Sequence, residues 1–310
     1  MRRRTALAGL AFTGAGALGA WRQMETAAQA PRTYRVRVSG IAADLPVARA
    51  WLSAASAFQG GAVRVSTNPA LDGIATLFGR EHALQPGGAG LQGYVGVGTE
   101  DPAGATTVGV TLYTSDGPAT VALPVTIRGT QWTVDYLTIP PPQPGDPDPL
   151  DPGAIRAEAD LIFGIYAGRS ARRWFDPWIS PIDGDVPITA YFGEQRSING
   201  GPVGGHHGGT DFGVGTGTPI HATNDGVVML AERLIVRGNM VILDHGSGVF
   251  SGYAHLSRLD VTPGQAVVKG QVVGAAGATG LVTGAHLHWE VTAGGILVDG
   301  LRWLDGTQGF

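Results

Sequence analysis

The sequence predicts a mostly β protein: an antiparallel, sandwich-like N-terminal domain, a proline-rich linker with one helix, and a compact antiparallel C-terminal domain. Three observations carry this. Apolar and polar residues alternate along many short runs, the pattern of strands with one buried face. The chain has 50 glycines, which serve tight turns where a side chain would clash. Charged residues make up only 15%, a balance that favours short strands over long charged helices.

The first element is an export leader over residues 1–30. Met1-Arg2-Arg3-Arg4 is basic, Ala6 to Ala20 is weakly apolar, and Ala28-Gln29-Ala30 offers a small-residue cleavage site. That order reads as a secretory signal, and the arginine run with a weak core also fits a twin-arginine variant. The expected destination is the periplasm, cell envelope or exterior. No later segment is long and apolar enough to cross a bilayer.

Residues 31–139 read as the N-terminal β domain. Tyr34–Val38, Val108–Leu112, Ala119–Val125 and Trp132–Tyr136 alternate, with Gly and Asp turn signals between them. Pro46 to Phe58 also fits one helix. His82 stands alone, so a hydrogen-bonded structural role outweighs ligation. Residues 140–178 form the linker. Prolines crowd Pro140 to Pro149, which denies the backbone its ladder and helix hydrogen bonds. A helix follows, with Asp151 as cap and Pro152 in its first turn. Ile155, Ala159, Ile162 and Tyr166 share a face, suiting a connector packed on the next domain.

From 179 to 310 the period returns to two. Val227–Leu230, Met240–Leu243, Ala266–Val268, Val272–Val273 and Leu287–Val291 are short strands between glycines, as in a compact β-sandwich or barrel.

Composition narrows the function. A net charge of -4 with no basic stripe beyond the N-terminus gives no sign of nucleic-acid binding. Zero cysteines exclude disulfides, thiolate metal sites and cysteine nucleophiles. Histidine is the informative residue. Of 8 histidines, all but His82 lie between 206 and 288. Imidazole binds zinc and moves protons near neutral pH.

His207-Gly208-Gly209-Thr210-Asp211 can supply a mixed N/O ligand pair. The two glycines argue against a helix, so His207 belongs on a loop and Asp211 on the strand after it. In His286-Leu287-His288 both imidazoles project from one strand face, about 6–7 Å apart. Both could bind one ion, or one could complete a His/Asp/His set while the other stands beside a reacting water. Glu290 continues that face as a supporting partner of a ligand. His255, near a strand end, adds a further imidazole. No glutamate occupies the position it has in His-Glu-x-x-His helices, so histidines off the metal are the acid/base candidates. Each fragment alone is weak, since a lone His-x-His is more often a metal-free strand pair. Their co-occurrence in one small glycine-rich domain is what points to a metal site.

Several runs now come together: Tyr191-Phe192-Gly193, His207–Phe212, Gly226-Val227-Val228, Gly238–Val241, Asp244-His245-Gly246, Tyr253-Ala254-His255-Leu256, Gly270–Gly274 and Thr283–Glu290. In uninterrupted order over residues 185–300 they resemble the lysostaphin/LytM-like zinc endopeptidases. The N-terminal β domain lies outside the resemblance. The resemblance implies a peptidase cutting peptide bonds of bacterial peptidoglycan with one zinc ion per chain. By motif position His207, Asp211 and His288 would be the ligands. His255 and His286 would flank the reacting water as general base and transition-state stabiliser, in either order. The implied fold is a nearly all-antiparallel β domain with its site in a groove.

Ala285 departs from the proline that family often carries there. His206 reads as a groove residue, His221 as a surface strand residue and His245 as structural. Two rival readings stand beside the enzyme: a cell-wall binding or hydrolase-activating module with a dead site, and a lipoyl-type carrier modified on Lys269. The N-terminal domain is expected to bind wall polymer or a protein partner, or to cover the groove. Asn199, in the loop before the site, is a candidate inhibitory ligand.

Overall fold

The computed structural model describes residues 49–141 and 147–305. The leader over residues 1–30 and the expected strand Tyr34–Val38 lie outside the described residues. Mostly β architecture holds throughout, with antiparallel pairing dominant.

The N-terminal region is two sheets face to face. One has four strands in the order Ala50–Leu52, Ala62–Thr67, Gly90–Gly96, Gln85–Gly87. The other has five, in the order Ser56–Phe58, Gly117–Arg128, Gly104–Thr114, Asp72–Leu77, Arg80–Ala83. The alternation of Val108, Val110 and Leu112 buries all three against Val63, Val65 and Val95 of the opposite sheet. Burying such a side chain contributes about 1.5–3 kcal/mol. The helix expected over Pro46 to Phe58 is absent from its described part. Ala50–Leu52 and Ser56–Phe58 are strands, and they belong to different sheets. Pairing partners overrode the weak helical preference of the alanines.

Two parallel pairs break the antiparallel expectation. Ser56–Phe58 lies parallel to Thr126–Arg128. Val134–Leu137, just past the N-terminal sheets, lies parallel to Gln195–Ile198 in a three-stranded sheet with Gly204–His206. Both pairs join segments separated by long stretches of chain, which parallel pairing requires. The second ties the chain leaving the sandwich to the segment ahead of His207.

The helix spans Pro152–Tyr166, and Asp151 Oδ1 accepts the Ala154 N–H at 2.8 Å as its cap. Its buried side is Glu158, Ile162, Ile165 and Tyr166. Ile155, expected on that face, is 41% exposed, because the helix meets the sheet mainly through its later turns. There Ile162, Ile165 and Tyr166 pack on Leu230, Met240, Ile242, Phe250 and Ala254.

The C-terminal region is built on a long antiparallel sheet. Its order is Ile188–Ala190, Thr210–Phe212, Leu287–Ala293, Val249–Leu256, Asn239–Gly246, Gly226–Arg233, Ala266–Val267, with Ile296–Val298 pairing Leu287–Ala293 from the side. A small sheet of Pro219–His221, Val272–Ala275 and Arg258–Leu259 closes one flank. Every residue of Val249–Leu256 is buried. Its sequence does not alternate because both faces are covered. Val249 and Tyr253 face the main core with Trp289, while Phe250 and Ala254 face the helix.

Candidate metal centre

The site is assembled by strand register. Asp211 lies directly opposite His288 in the antiparallel pair Thr210–Phe212 with Leu287–Ala293, and His288 lies opposite Ala254 on its other side. Opposed side chains on one sheet face sit close together. Alternation sends Leu287, Trp289 and Val291 into the core, leaving His288 and Glu290 on the other face. His207 stands on the loop before Thr210–Phe212, as its glycines suggested. Gly209 lets that loop close: a Cβ there would lie 2.3 Å from the Trp289 carbonyl oxygen.

Three donor atoms converge. His207 Nε2 lies 3.0 Å from Asp211 Oδ1 and 2.9 Å from His288 Nδ1, and Asp211 Oδ1 lies 2.7 Å from His288 Nδ1. All three residues are buried. Tetrahedral ligands at about 2.0–2.1 Å from zinc stand about 3.3 Å apart, so this small triangle fits one such ion. His207, Asp211 and His288 are also the group whose ligand atoms meet within 4.8 Å of one another among the described residues.

Each of the three is held from behind. His207 Nδ1 lies 2.9 Å from the Tyr191 carbonyl oxygen and so donates to it, leaving Nε2 free of a proton. Arg196 Nη2 donates to Asp211 Oδ2 at 3.2 Å, which turns Oδ1 toward the imidazoles. His288 Nε2 lies 3.0 Å from Glu290 Oε1. Burial pushes the His207 pKa down to about 4. Burial works against charge on Asp211 and His288 too, but their mutual contact outweighs it. Burial would raise Asp211, yet its close contacts with the His207 and His288 rings hold it well below the usual carboxylate range. Asp211 and Glu290, one on each ring nitrogen, raise His288. The two histidines move in opposite directions because only His288 has a second carboxylate.

His255 and His286 complete the cluster, with ring centroids 4.8 Å apart. Alternation alone would send His255 to the core side with Tyr253. A bulge between Asn239 and Val241 in the facing strand, together with φ 62° at His255, turns the ring out. Bulges beside sites commonly re-aim one side chain in this way. His255 Nδ1 donates to the Thr279 carbonyl at 2.8 Å, leaving Nε2 as an acceptor. Burial, with His288 and His286 nearby, lowers its pKa well below the usual value. His286 Nδ1 lies 3.0 Å from the Gly284 carbonyl, and its Nε2 lies 3.8 Å from Asp211 Oδ1.

The remaining histidines stand apart from this cluster. His245 is fully buried between the Asp225 carbonyl and Ser251 Oγ, each at 2.7 Å. His82 is buried with Nδ1 3.1 Å from the Gly294 carbonyl. His221 Nδ1 lies 3.0 Å from the Gly270 carbonyl. His206 packs edge-on against Trp132, 5.6 Å between centroids, at the rim of the cleft. Asn199 Oδ1 accepts the Ile139 N–H at 2.8 Å and so fastens the segment after Val134–Leu137. Spacing alone did not reveal Arg196, Arg237 or Thr279, which no periodicity marks, and helical periodicity marked Tyr166 only as a packing residue.

Two imidazoles and a carboxylate converge, with two more imidazoles beside them, as a candidate site for one metal ion. The family model for peptidase family M23 matches residues 205–300. Peptidoglycan DD-endopeptidase ShyA of Vibrio cholerae is 36% identical over 135 residues, 44% of this chain and 31% of that protein. ShyB of the same organism, also a peptidoglycan DD-endopeptidase, is 37% identical over 49% of this chain and 35% of its own length. The chain thus spans about a third of these relatives. A peptidase M23 structure from Pseudomonas aeruginosa matches with TM-score 0.59 and 26% identity, covering 80% of this chain and 94% of that one. Residues 205–300 cannot supply that coverage alone, so the likeness extends into the N-terminal sheets. The match to the model of peptidase family M23 is confined to residues 205–300, and the helix and the N-terminal sheets lie outside it.

Proposed function

We propose that this chain is a zinc-dependent endopeptidase that hydrolyses peptide bonds of bacterial peptidoglycan. The observation that carries the reading is the convergence of His207 Nε2, Asp211 Oδ1 and His288 Nδ1, with His255 and His286 alongside. The names of ShyA and ShyB favour a D,D-peptide bond as the target. Wall substrate lies outside the cytoplasm, which accords with the leader read over residues 1–30. Residues 179–310 carry the chemistry in this reading, and the N-terminal sheets serve wall polymer or a partner. Among the described residues no helix is long and apolar enough to cross a membrane.

Zinc held by His207, Asp211 and His288 supplies Lewis acidity and brings the pKa of water toward about 7. The protein's own residues do the rest. His255 is kept neutral by burial, and its Nδ1–H is spent on Thr279, so Nε2 accepts the proton of the attacking water. His286 sits on the more open side of the cleft, where it steadies the developing oxyanion and protonates the leaving amine. Arg196 holds Asp211 in place throughout.

Purified peptidoglycan incubated with the zinc-loaded, chelated and zinc-restored protein tests this. New amino termini should appear only with zinc present, and fragment masses should name the bond. A folded, zinc-bound protein that releases nothing from several wall types would instead favour the binding or activating module.

A further inference from the structure

The geometry points to the helix Pro152–Tyr166 as a working part of the metal centre: we infer that Tyr166, with Arg237, fixes the Glu290 carboxylate that holds His288, and so sets metal affinity. This rests on the ligand reading given above. The helix lies outside the segment matched by the family model.

Glu290 is fully buried, and a buried carboxylate is costly unless hydrogen bonds surround it. It receives four. Tyr166 Oη donates to Oε2 at 2.8 Å. Arg237 Nε and Nη2 donate to Oε1 at 3.0 and 2.8 Å. His288 Nε2 lies 3.0 Å from the same Oε1. For His288 Nδ1 to offer its lone pair to a metal, the ring proton must sit on Nε2, and Glu290 is what receives it there. Tyr166 is the only one of these donors that reaches Oε2. Without its hydroxyl that oxygen is buried with no donor among the described residues, and the carboxylate is free to rotate away from the imidazole.

A second helix side chain secures the same arrangement. Glu158 accepts the backbone N–H groups of Val236 and Arg237, each at 2.7 Å. The Arg237 carbonyl in turn accepts the His255 N–H at 2.9 Å. One helix face therefore braces the ligand side of the site through Tyr166 and the base side through Glu158. The sheet makes room for this contact at Gly252, opposite Glu290, where a Cβ would lie 2.6 Å from Tyr166 Oη. Tyr166 and Arg237 are positioning residues, since they touch the ligand's partner and not the metal.

The test is zinc affinity of the full chain, measured by chelator competition well below the melting temperature, for wild type, Tyr166→Phe and Ala157→Gly. Tyr166→Phe keeps the ring that packs on Phe250 and removes only the hydroxyl. Loss of an outer partner of a metal-binding histidine typically weakens affinity about 10–100-fold, and a fall of about tenfold or more is expected. The visible spectrum of the cobalt-substituted protein should shift with it. Ala157→Gly loosens the same helix on its exposed side and should bind zinc as wild type does. Unchanged affinity in Tyr166→Phe, or an equal loss in Ala157→Gly, overturns the inference while leaving the metal site intact. A wild-type protein that takes up no zinc overturns the metal reading itself, and this inference with it.

Discussion

His255 shows how much one residue's role depends on its backbone. Its φ of 62° is a left-handed conformation that costs a residue with a side chain about 1–2 kcal/mol. The fold sustains it through the His255 N–H bond to Arg237 and the ring bond to Thr279. What that strain achieves is a ring in the cleft instead of the core. The five site residues should therefore separate into two groups. His207→Ala, Asp211→Ala and His288→Ala should each lose bound zinc and activity together. His255→Ala and His286→Ala should keep zinc and lose turnover by about 10²–10⁴-fold, the usual contribution of a positioned acid or base. Metal analysis beside a wall-hydrolysis assay checks this, and a zinc-free His255→Ala protein would contradict the assignment.

Among the elements, the strand Val249–Leu256 decides the site's architecture. It is buried on both faces, pairs with Leu287–Ala293 on one edge and Asn239–Gly246 on the other, and carries His255 at its end. Gly252 is its tightest point. An added Cβ would lie 2.6 Å from Tyr166 Oη and 2.8 Å from Met240 Cε. Overpacking a filled interior typically costs about 1–3 kcal/mol. Gly252→Ala should lower stability by that amount in urea melts of the chelated protein. A wild-type midpoint would mean that the helix yields easily at this contact.

Across the whole molecule, two histidines outside the cleft make the fold sensitive to acid. His82 joins the N-terminal sheets to the hairpin at Gly294, and His245 sits among Asp225, Ser251 and Trp178. Burial lowers both from 6.5 to about 4. The unfolded chain takes up these protons as pH falls through about 6.5, whereas the folded chain resists until about 4. Unfolding thus binds protons across that window, and stability drops as pH falls through it, by about 3 kcal/mol for each histidine. Above about 6.5 these groups contribute no pH dependence. Melts of the chelated protein from pH 7.5 to 4.5 should show the loss, with His207 and His255 adding to it, and His245→Asn should make the profile less steep by the share of one histidine. An equally steep profile in that variant would place the acid sensitivity elsewhere.

The β character, the capped helix after Asp151, the loop position of His207 and the gathering of these histidines in one domain were all legible in the chain. They depend on short-range facts: period-two burial, a capping side chain, two glycines, and imidazoles at strand spacing. The helix face was misjudged at Ile155 because the sheet it meets is built by residues seventy and more positions later. The strands at Ala50–Leu52 and Ser56–Phe58 were missed for the same reason, since their partners are distant.

By itself, then, the sequence determined which residue types were available for the chemistry and which strands could present them. Only tertiary structure decided that Asp211 faces His288 across a ladder, that His255 turns outward, and that Arg196, Arg237 and Tyr166 stand behind the candidate ligands. The physical reason is that cross-strand register, a bulge and helix-to-sheet packing are long-range matters. They are settled by where the whole chain can bury its apolar surface, and no local spacing encodes them.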